Sequence, residues 1–219
     1  MIKCIGLDLD NTLYPEEQYY FECYRVIAER EFSGDMAVAH YMRKIRNELG
    51  DSKVFQMAQQ HCFKDKDFIS RCVEIYHSCD ANLRMYPDAE QFLNEKIERM
   101  NYALLTNGGV ETQRNKLRCL GVEQFFDTIC ITGEYLPRER WKPSIYAFSL
   151  LSKIVGCSPE EVLFVGDPVV NDAEGASHTG MQTILLDRNK RYFGGKYKTV
   201  AKLTEVKEIL RGLNGNGAA

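Results

Sequence analysis

Two aspartates one residue apart, Asp8 and Asp10, close the apolar run Ile2-Lys3-Cys4-Ile5-Gly6-Leu7 and lead into Asn11-Thr12. Alternate residues of an extended segment project to the same side, so both carboxylates can meet one cation or one reacting group. Such a pair suits Mg²⁺ and phosphate chemistry, although a strand running into an Asp-rich turn reads the same way. Three further stretches supply matching chemistry: Thr106-Asn107-Gly108-Gly109, Lys142-Pro143 ahead of Ser144, and Gly166-Asp167 with Asn171-Asp172 close behind. Taken singly, these are a turn before a helix, a solvated lysine and a plain strand exit. Taken in order they are acids, a hydroxyl, a cation and acids again.

The elements that must position these residues can be read from periodicity. From Glu16 to about Asp80 the pattern is helical, with Tyr20, Phe21, Tyr24 and Ala28, then Ala37, Tyr41, Ile45 and Leu49, then Val54, Met57 and Ala58, then Phe68, Cys72, Ile75 and Tyr76 at three- and four-residue spacing. Roughly four helices are expected, with Ser33 and Asp35 as capping signals, Gly50 closing the second and Asp51 or Ser52 capping the third. After Pro87 strands and helices alternate: a helix capped by Asp88 and running through Met100, a strand over Tyr102 to Thr106, a helix from Val110 to Leu120 stopped by Gly121, and a strand from Thr128 to Thr132. A helix from Ser144 to Val155 ends at Gly156, Ser158-Pro159-Glu160-Glu161 combines a capping box with a first-turn proline, and Val162 to Val165 and Gln182 to Leu186 read as buried strands.

This alternation predicts an α/β fold, a Rossmann-like parallel sheet flanked by helices, with every strand finishing at one edge of the sheet. Ligands in such sheets sit beyond those carboxyl ends, where the chemically apt residues fall. The first strand belongs to the same sheet, which makes the helical stretch an insertion. The expected organisation is a core of residues 1–14 and 86–211, an all-helical cap domain of 15–85, and a disordered tail of 212–219 that is rich in Gly, Asn and Ala.

The 219 residues, 44% hydrophobic and 27% charged, suit a globular protein of one large or two small domains. A formal net charge of −3 with no Lys/Arg run argues against nucleic acid as a partner. With the first strand beginning almost at Met1, no signal peptide is expected, and no apolar stretch is long enough to span a bilayer; the expected location is cytoplasmic, with no membrane partner. Of eight cysteines, Cys4, Cys119, Cys130 and Cys157 read as buried free thiols. Cys62, Cys72 and Cys79 with His61 and His77 form a looser group without the C-x-x-C pair that favours zinc, and packed helices account for them equally well.

Asp8-Leu9-Asp10-Asn11-Thr12, Leu105-Thr106-Asn107, Lys142-Pro143 and Gly166-Asp167-Pro168-Val169-Val170-Asn171-Asp172 resemble, as an ordered set, the four motifs of the haloacid dehalogenase-like hydrolase superfamily. The helical insertion directly after the first motif resembles that superfamily's cap. The resemblance implies a Mg²⁺-dependent phosphatase in which Asp8 is the nucleophile and forms an aspartyl-phosphate, while Asp10 protonates the leaving oxygen and then deprotonates the attacking water. Asp8, the main-chain carbonyl of Asp10, and Asp167 are the implied Mg²⁺ ligands, with Asp172 a further ligand or a group behind them. Thr106 and the amides of Asn107 and Gly108 are the implied phosphate donors, and Lys142 the implied counter-charge. An acid at position 10 favours phosphoryl transfer, since a halide leaving group needs no proton. Pro168 departs from the small Ser or Thr common there.

Substrate choice is expected to lie in the cap. Tyr14, Glu17, Tyr19 and Tyr20 mark the expected hinge, and Arg25, Arg43, Arg46, Arg138 and Arg140 are candidates for anion contact, although helix aromatics are more often core and surface arginines more often solvated. The opening Asp10-Asn11-Thr12-Leu13-Tyr14 is similar to pyrimidine 5′-nucleotidase-like members, so the expected partner is a small phosphorylated metabolite, a nucleoside monophosphate or a sugar phosphate. A phosphomutase on the same chemistry, and a non-catalytic phosphate-binding or interaction protein, remain alternatives; oligomeric state is left open.

Overall fold

The computed structural model describes residues 1–167, 169–192 and 195–215, without the side chains of 169–171 and 214–215. Six strands form one sheet: β1 (Cys4–Leu7), β2 (Asn101–Thr106), β3 (Thr128–Ile131), β4 (Val162–Gly166), β5 (Gln182–Leu186) and β6 (Lys198–Val200). Their order is β3-β2-β1-β4-β5-β6 and every pair is parallel. The chain therefore builds outward in one direction from β1 and then in the other from β4, so the crevice between these two central strands is the topological switch point. Every residue of β1 and β4 is buried, as a parallel sheet covered on both faces requires. On one face Cys4, Leu105, Cys130, Val162 and Phe164 pack with Ala147, Phe148 and Leu151, the Phe148 and Phe164 rings meeting edge to face at 5.1 Å.

The chain divides into two compact units. One, Glu16–Leu83 with Arg114–Leu120, contains α1 (Glu17–Glu31), α2 (Met36–Leu49), α3 (Val54–His61) and α4 (Phe68–Ser78) around Tyr24, Ile27, Met42, Val54, Phe68 and Cys72. The other holds the sheet with α5 (Pro87–Asn94), the first turn of α6 (Val110–Leu120), the one-turn α7 (Thr132–Tyr135), α8 (Ile145–Val155), the short α9 (Gly175–Ser177) and α10 (Val206–Gly215).

Several local expectations need correction. The buried stripe of α2 is Val38, Ala39, Met42 and Ile45, while Ala37 and Leu49 are exposed; apolar residues flank both candidate stripes, and the spacing alone fits either. Asp35 caps α2 by accepting from the Ala37 amide at 2.9 Å, but Asp51–Lys53 form a 3₁₀ turn ahead of α3 and supply no side-chain cap. Helix α5 begins at Pro87 and stops at Asn94 instead of reaching Met100, because the Ile97 amide donates to the Tyr102 hydroxyl at 3.1 Å and Arg99 turns the chain with φ of 60° into β2. The Ser158 capping box opens a 3₁₀ turn, Pro159–Glu161. Cys119 and Cys157 are only half-buried.

Residues 212–215 are helical as the end of α10, where a disordered tail was expected. Extending an existing helix costs one residue's dihedral freedom and gains one hydrogen bond, so a single Gly212, at about 1 kcal/mol, does not stop it. The remainder of that tail, 216–219, and Pro168 lie outside the described residues.

Candidate active site at the strand ends

The register of the central strands sets the site. Leu7 is level with Leu104 on one side and Val165 on the other, and the Asp8 amide donates to the Val165 carbonyl at 3.1 Å, so Asp8 is held as a last rung of the ladder. Thr106 ends β2, and Asp167 follows β4. Beyond Asp8 the chain folds back on itself: the Leu13 amide bonds to Leu9 at 2.9 Å, Asn11 adopts a left-handed φ of 60°, and its amide bonds to Tyr14 at 2.9 Å. This turn brings the buried Tyr14 hydroxyl onto Asp10 Oδ1 at 2.7 Å.

Arg188 braces the same turn. Its Nη2 donates to the Thr12 carbonyl at 2.8 Å and its Nη1 to Asp88 at 2.7 Å, and its guanidinium lies 3.8 Å from the centre of the Tyr86 ring. The Tyr86 amide in turn donates to the Leu13 carbonyl at 2.9 Å.

Lys142 is the centre of the charge arrangement. Its side chain is 3% exposed, and its ammonium donates to Asp8 Oδ1 at 2.5 Å and Asp172 Oδ1 at 2.7 Å. Asn107 holds the lysine's main chain reciprocally, Nδ2 donating to the Lys142 carbonyl at 2.8 Å and Oδ1 accepting from its amide at 2.9 Å. Burial alone would lower the Lys142 pKa, but Asp172 and Asp8 outweigh it and hold the group above its usual value. Burial followed by the Asp172 charge raises Asp8, and burial raises Asp172 against the pull of Lys142. Burial also pushes the Asp167 carboxyl up to about 6, with the Asp8 charge adding to it and Arg191 and Arg188 opposing.

One atom of this cluster stands out. Asp172 Oδ2 is buried and has no hydrogen-bond partner among the described residues, a costly state for a carboxylate oxygen. It fits there only because residue 166 is glycine: a Cβ on Gly166 would lie 2.1 Å from it. Mutually repelling carboxylates with an unsatisfied buried oxygen form a donor set suited to a small, hard divalent cation. As the side chains stand, no three His, Cys, Asp or Glu groups among the described residues converge on one ligating point. Lys142 lies between Asp8 and Asp172, while the Asp10 carboxylate faces Tyr14 and Gln113.

The structure thus brings together Asp8, Lys142 and Asp172 directly, ties Asn107 to the lysine's main chain, and links Thr106 to Asp10 through a residue that the sequence reading passed over. Gln113 Nε2 donates to Thr106 Oγ1 at 2.5 Å and to Asp10 Oδ2 at 3.2 Å. Gln113 was hidden among the polar residues of α6. Its signal was position: with Lys116 and Leu117 it lies on the helix's buried stripe.

Other candidates have local roles in the helical unit. Tyr19 donates to the Tyr76 carbonyl at 2.5 Å and accepts from Asn115 at 3.0 Å, and Tyr20 lies under the Arg46 guanidinium at 4.3 Å. Arg25, Arg43 and Arg46 pair with Glu22, Glu17 and Glu16 respectively, while in the other unit Arg140 lies over Tyr146 at 4.5 Å and Arg138 is exposed. His61 stacks on Tyr41 at 4.3 Å and Cys72 is buried.

Comparison with known proteins agrees with this architecture. The family model described as haloacid dehalogenase-like hydrolase matches residues 5–186. The chain is 29% identical over 97% of its length to a glyceraldehyde 3-phosphate phosphatase of Methanocaldococcus jannaschii, covering 99% of that protein. It is 31% identical to a ribulose-1,5-bisphosphate 5-phosphatase of Halopiger xanaduensis, with 85% of each covered. In fold it is similar to the hydrolase YfnB of Bacillus subtilis, solved with magnesium bound, at a TM-score of 0.72 and 17% identity over 95% of this chain and 98% of that one. By the extent of the family match and the parallel sheet that presents its motifs, the chain belongs to the haloacid dehalogenase-like hydrolases.

Proposed function

We propose that the chain hydrolyses small phosphomonoesters through an aspartyl-phosphate on Asp8, with Mg²⁺ as its cofactor. The observation that carries this reading is the division of labour between two carboxylates two residues apart. Asp8 is paired with Lys142, whereas Asp10 accepts from Tyr14 and Gln113. A reaction with an alkoxide leaving group needs both, one group to attack and another to manage the proton.

In this scheme an Asp8 oxygen attacks phosphorus as the bond to the ester oxygen breaks, and Asp10 delivers its proton to that departing oxygen. Asp10 then takes a proton from water as the water oxygen attacks the phosphoryl group, releasing phosphate and restoring the Asp8 carboxylate. Lys142 offsets charge on Asp8 and on the phosphoryl oxygens, and Thr106 with the amides of Asn107 and Gly108 donates to those oxygens. Asp8, Asp167, Asp172 and the Asp10 carbonyl would hold the cation. When bound, Mg²⁺ supplies the positive charge that lets an anionic nucleophile approach an anionic phosphate.

The named activities of the relatives favour a short sugar phosphate over a nucleoside monophosphate. The helical unit, inserted directly after the first motif, is proposed as the element that selects it. No helix among the described residues is long and apolar enough to cross a membrane.

The test is phosphate release from a panel of sugar phosphates, nucleoside monophosphates and p-nitrophenyl phosphate. Turnover is expected with Mg²⁺, to vanish with chelator, and to fall on the order of 10⁴-fold in Asp8→Asn. Undiminished turnover in Asp8→Asn would overturn the nucleophile assignment, and isomerisation without phosphate release would point to a mutase.

A further inference from the structure

Gln113 joins two parts of the site that the strands deliver separately. It lies in the first turn of α6, its amide donating to the Gly109 carbonyl at 3.1 Å, and it is 1% exposed. One nitrogen, Nε2, reaches both Thr106 Oγ1 and Asp10 Oδ2. An ionised carboxylate only accepts hydrogen bonds, so the amide must present its NH₂ side to Asp10, and the two hydrogens of that group serve the two partners.

Two chemical consequences follow from this geometry. Since Thr106 Oγ1 accepts from Gln113, its own hydrogen must point elsewhere, which leaves the hydroxyl a donor for a phosphate oxygen. Since Asp10 accepts on one oxygen from a phenol and on the other from this amide, Gln113 takes a direct part in setting its direction. The loop makes room for this arrangement. Gly108 has φ of 145°, and a Cβ there would lie 2.8 Å from Gln113 Cγ and 2.9 Å from Cδ.

We infer that Gln113 is a positioning residue that sets the proton-transferring Asp10 in register with the phosphate-binding Thr106. The inference rests on the phosphatase reading above and adds a dependence on the leaving group. A sugar alkoxide needs a proton as it departs, whereas p-nitrophenolate leaves readily as the anion. Misplacing Asp10 must therefore lower kcat/KM, which reports the departure of the leaving group and not the later attack of water common to both esters, far more for the first ester than for the second, while damage to phosphate binding or to the fold lowers both alike.

The experiment compares kcat and KM of the wild type, Gln113→Leu and Gln113→Glu on p-nitrophenyl phosphate and on the best sugar phosphate of the panel, with melting curves as the control for folding. For Gln113→Leu, kcat/KM on the sugar phosphate is expected to fall about 30-fold and kcat/KM on p-nitrophenyl phosphate less than about threefold. Gln113→Glu, which keeps the shape but sets a carboxylate against Asp10, is expected to show the larger split and carries the test if the leucine variant does not fold. Equal losses on both esters, or no loss on either, overturn the inference while leaving the phosphatase reading intact. A wild-type chain inactive on every ester overturns that reading and, with it, the inference.

Discussion

In the helical unit Arg46, with a side chain 10% exposed, donates to Glu16 at 2.9 Å, reaches Asp51 at 3.2 Å and lies over Tyr20; Lys116, 4% exposed, approaches the same Glu16 at 3.6 Å. At the strand ends Lys142 is buried just as deeply between Asp8 and Asp172, yet its surroundings differ in kind. Around Arg46 acids and bases satisfy one another. Around Lys142 acid is in excess, Asp172 Oδ2 has no hydrogen-bond partner among the described residues, and burial holds Asp8, Asp167 and Asp172 above the usual carboxylate range. Buried charge that is balanced serves the fold, whereas buried charge left unbalanced is a reservoir for binding and reaction.

The contrast can be broken most sharply at Gly166. In Gly166→Ala the new methyl must displace the Asp172 carboxylate, and kcat is expected to fall about 100-fold in steady-state assays. An unchanged rate would mean that the unsatisfied oxygen has no part in the chemistry. The opposite result is expected in the helical unit. Arg46→Met removes a buried partner of Glu16 and should cost about 2 kcal/mol in chemical denaturation, while kcat of the folded protein stays within about threefold. Lost turnover with unchanged stability would place the Arg46 network among the functional groups instead.

The smallest effect is expected at the surface of the same unit. Arg71 binds Glu31 at 2.7 and 2.8 Å and Asp65 at 2.9 and 3.1 Å. Its hydrogen bonds lower the Glu31 carboxyl and bring Asp65 down to about 2. Groups depressed in the folded state stabilise it above their ordinary pKa and lose that contribution as pH falls through the folded value. Stability should therefore decline between about pH 4 and pH 2, and Arg71→Gln should flatten that part of a circular-dichroism melting profile. An unaltered slope would locate the acid sensitivity elsewhere.

The strand-end aspartates, Thr106 and Lys142 were legible in the sequence because a parallel sheet sends every strand to the same edge, where chemistry-bearing residue types become conspicuous against apolar runs. Alternation of elements also sufficed to place β1 in the sheet ahead of the helical insertion. What escaped was side-chain direction. Tyr14 marks the expected hinge by its place in the sequence, but nothing there shows that its hydroxyl is committed to Asp10 by the turn at Asn11. Arg188 and Asp88 meet across 100 positions of sequence, a pairing that no local period encodes. The short edge strand β6 carries only three residues, two of them exposed, too few for an alternating pattern to register.

Asn107 grips the peptide groups on either side of the Lys142 α-carbon and leaves the ammonium to the acids. Anchorage and charge at this position are therefore separate properties. The loop keeps its frame through its main chain whatever side chain it displays, much as a socket keeps its shape when the plug is changed. Two sets of contacts thus meet at one residue, the amide of Asn107 fixing where the loop runs and the carboxylates of Asp8 and Asp172 fixing where its charge rests.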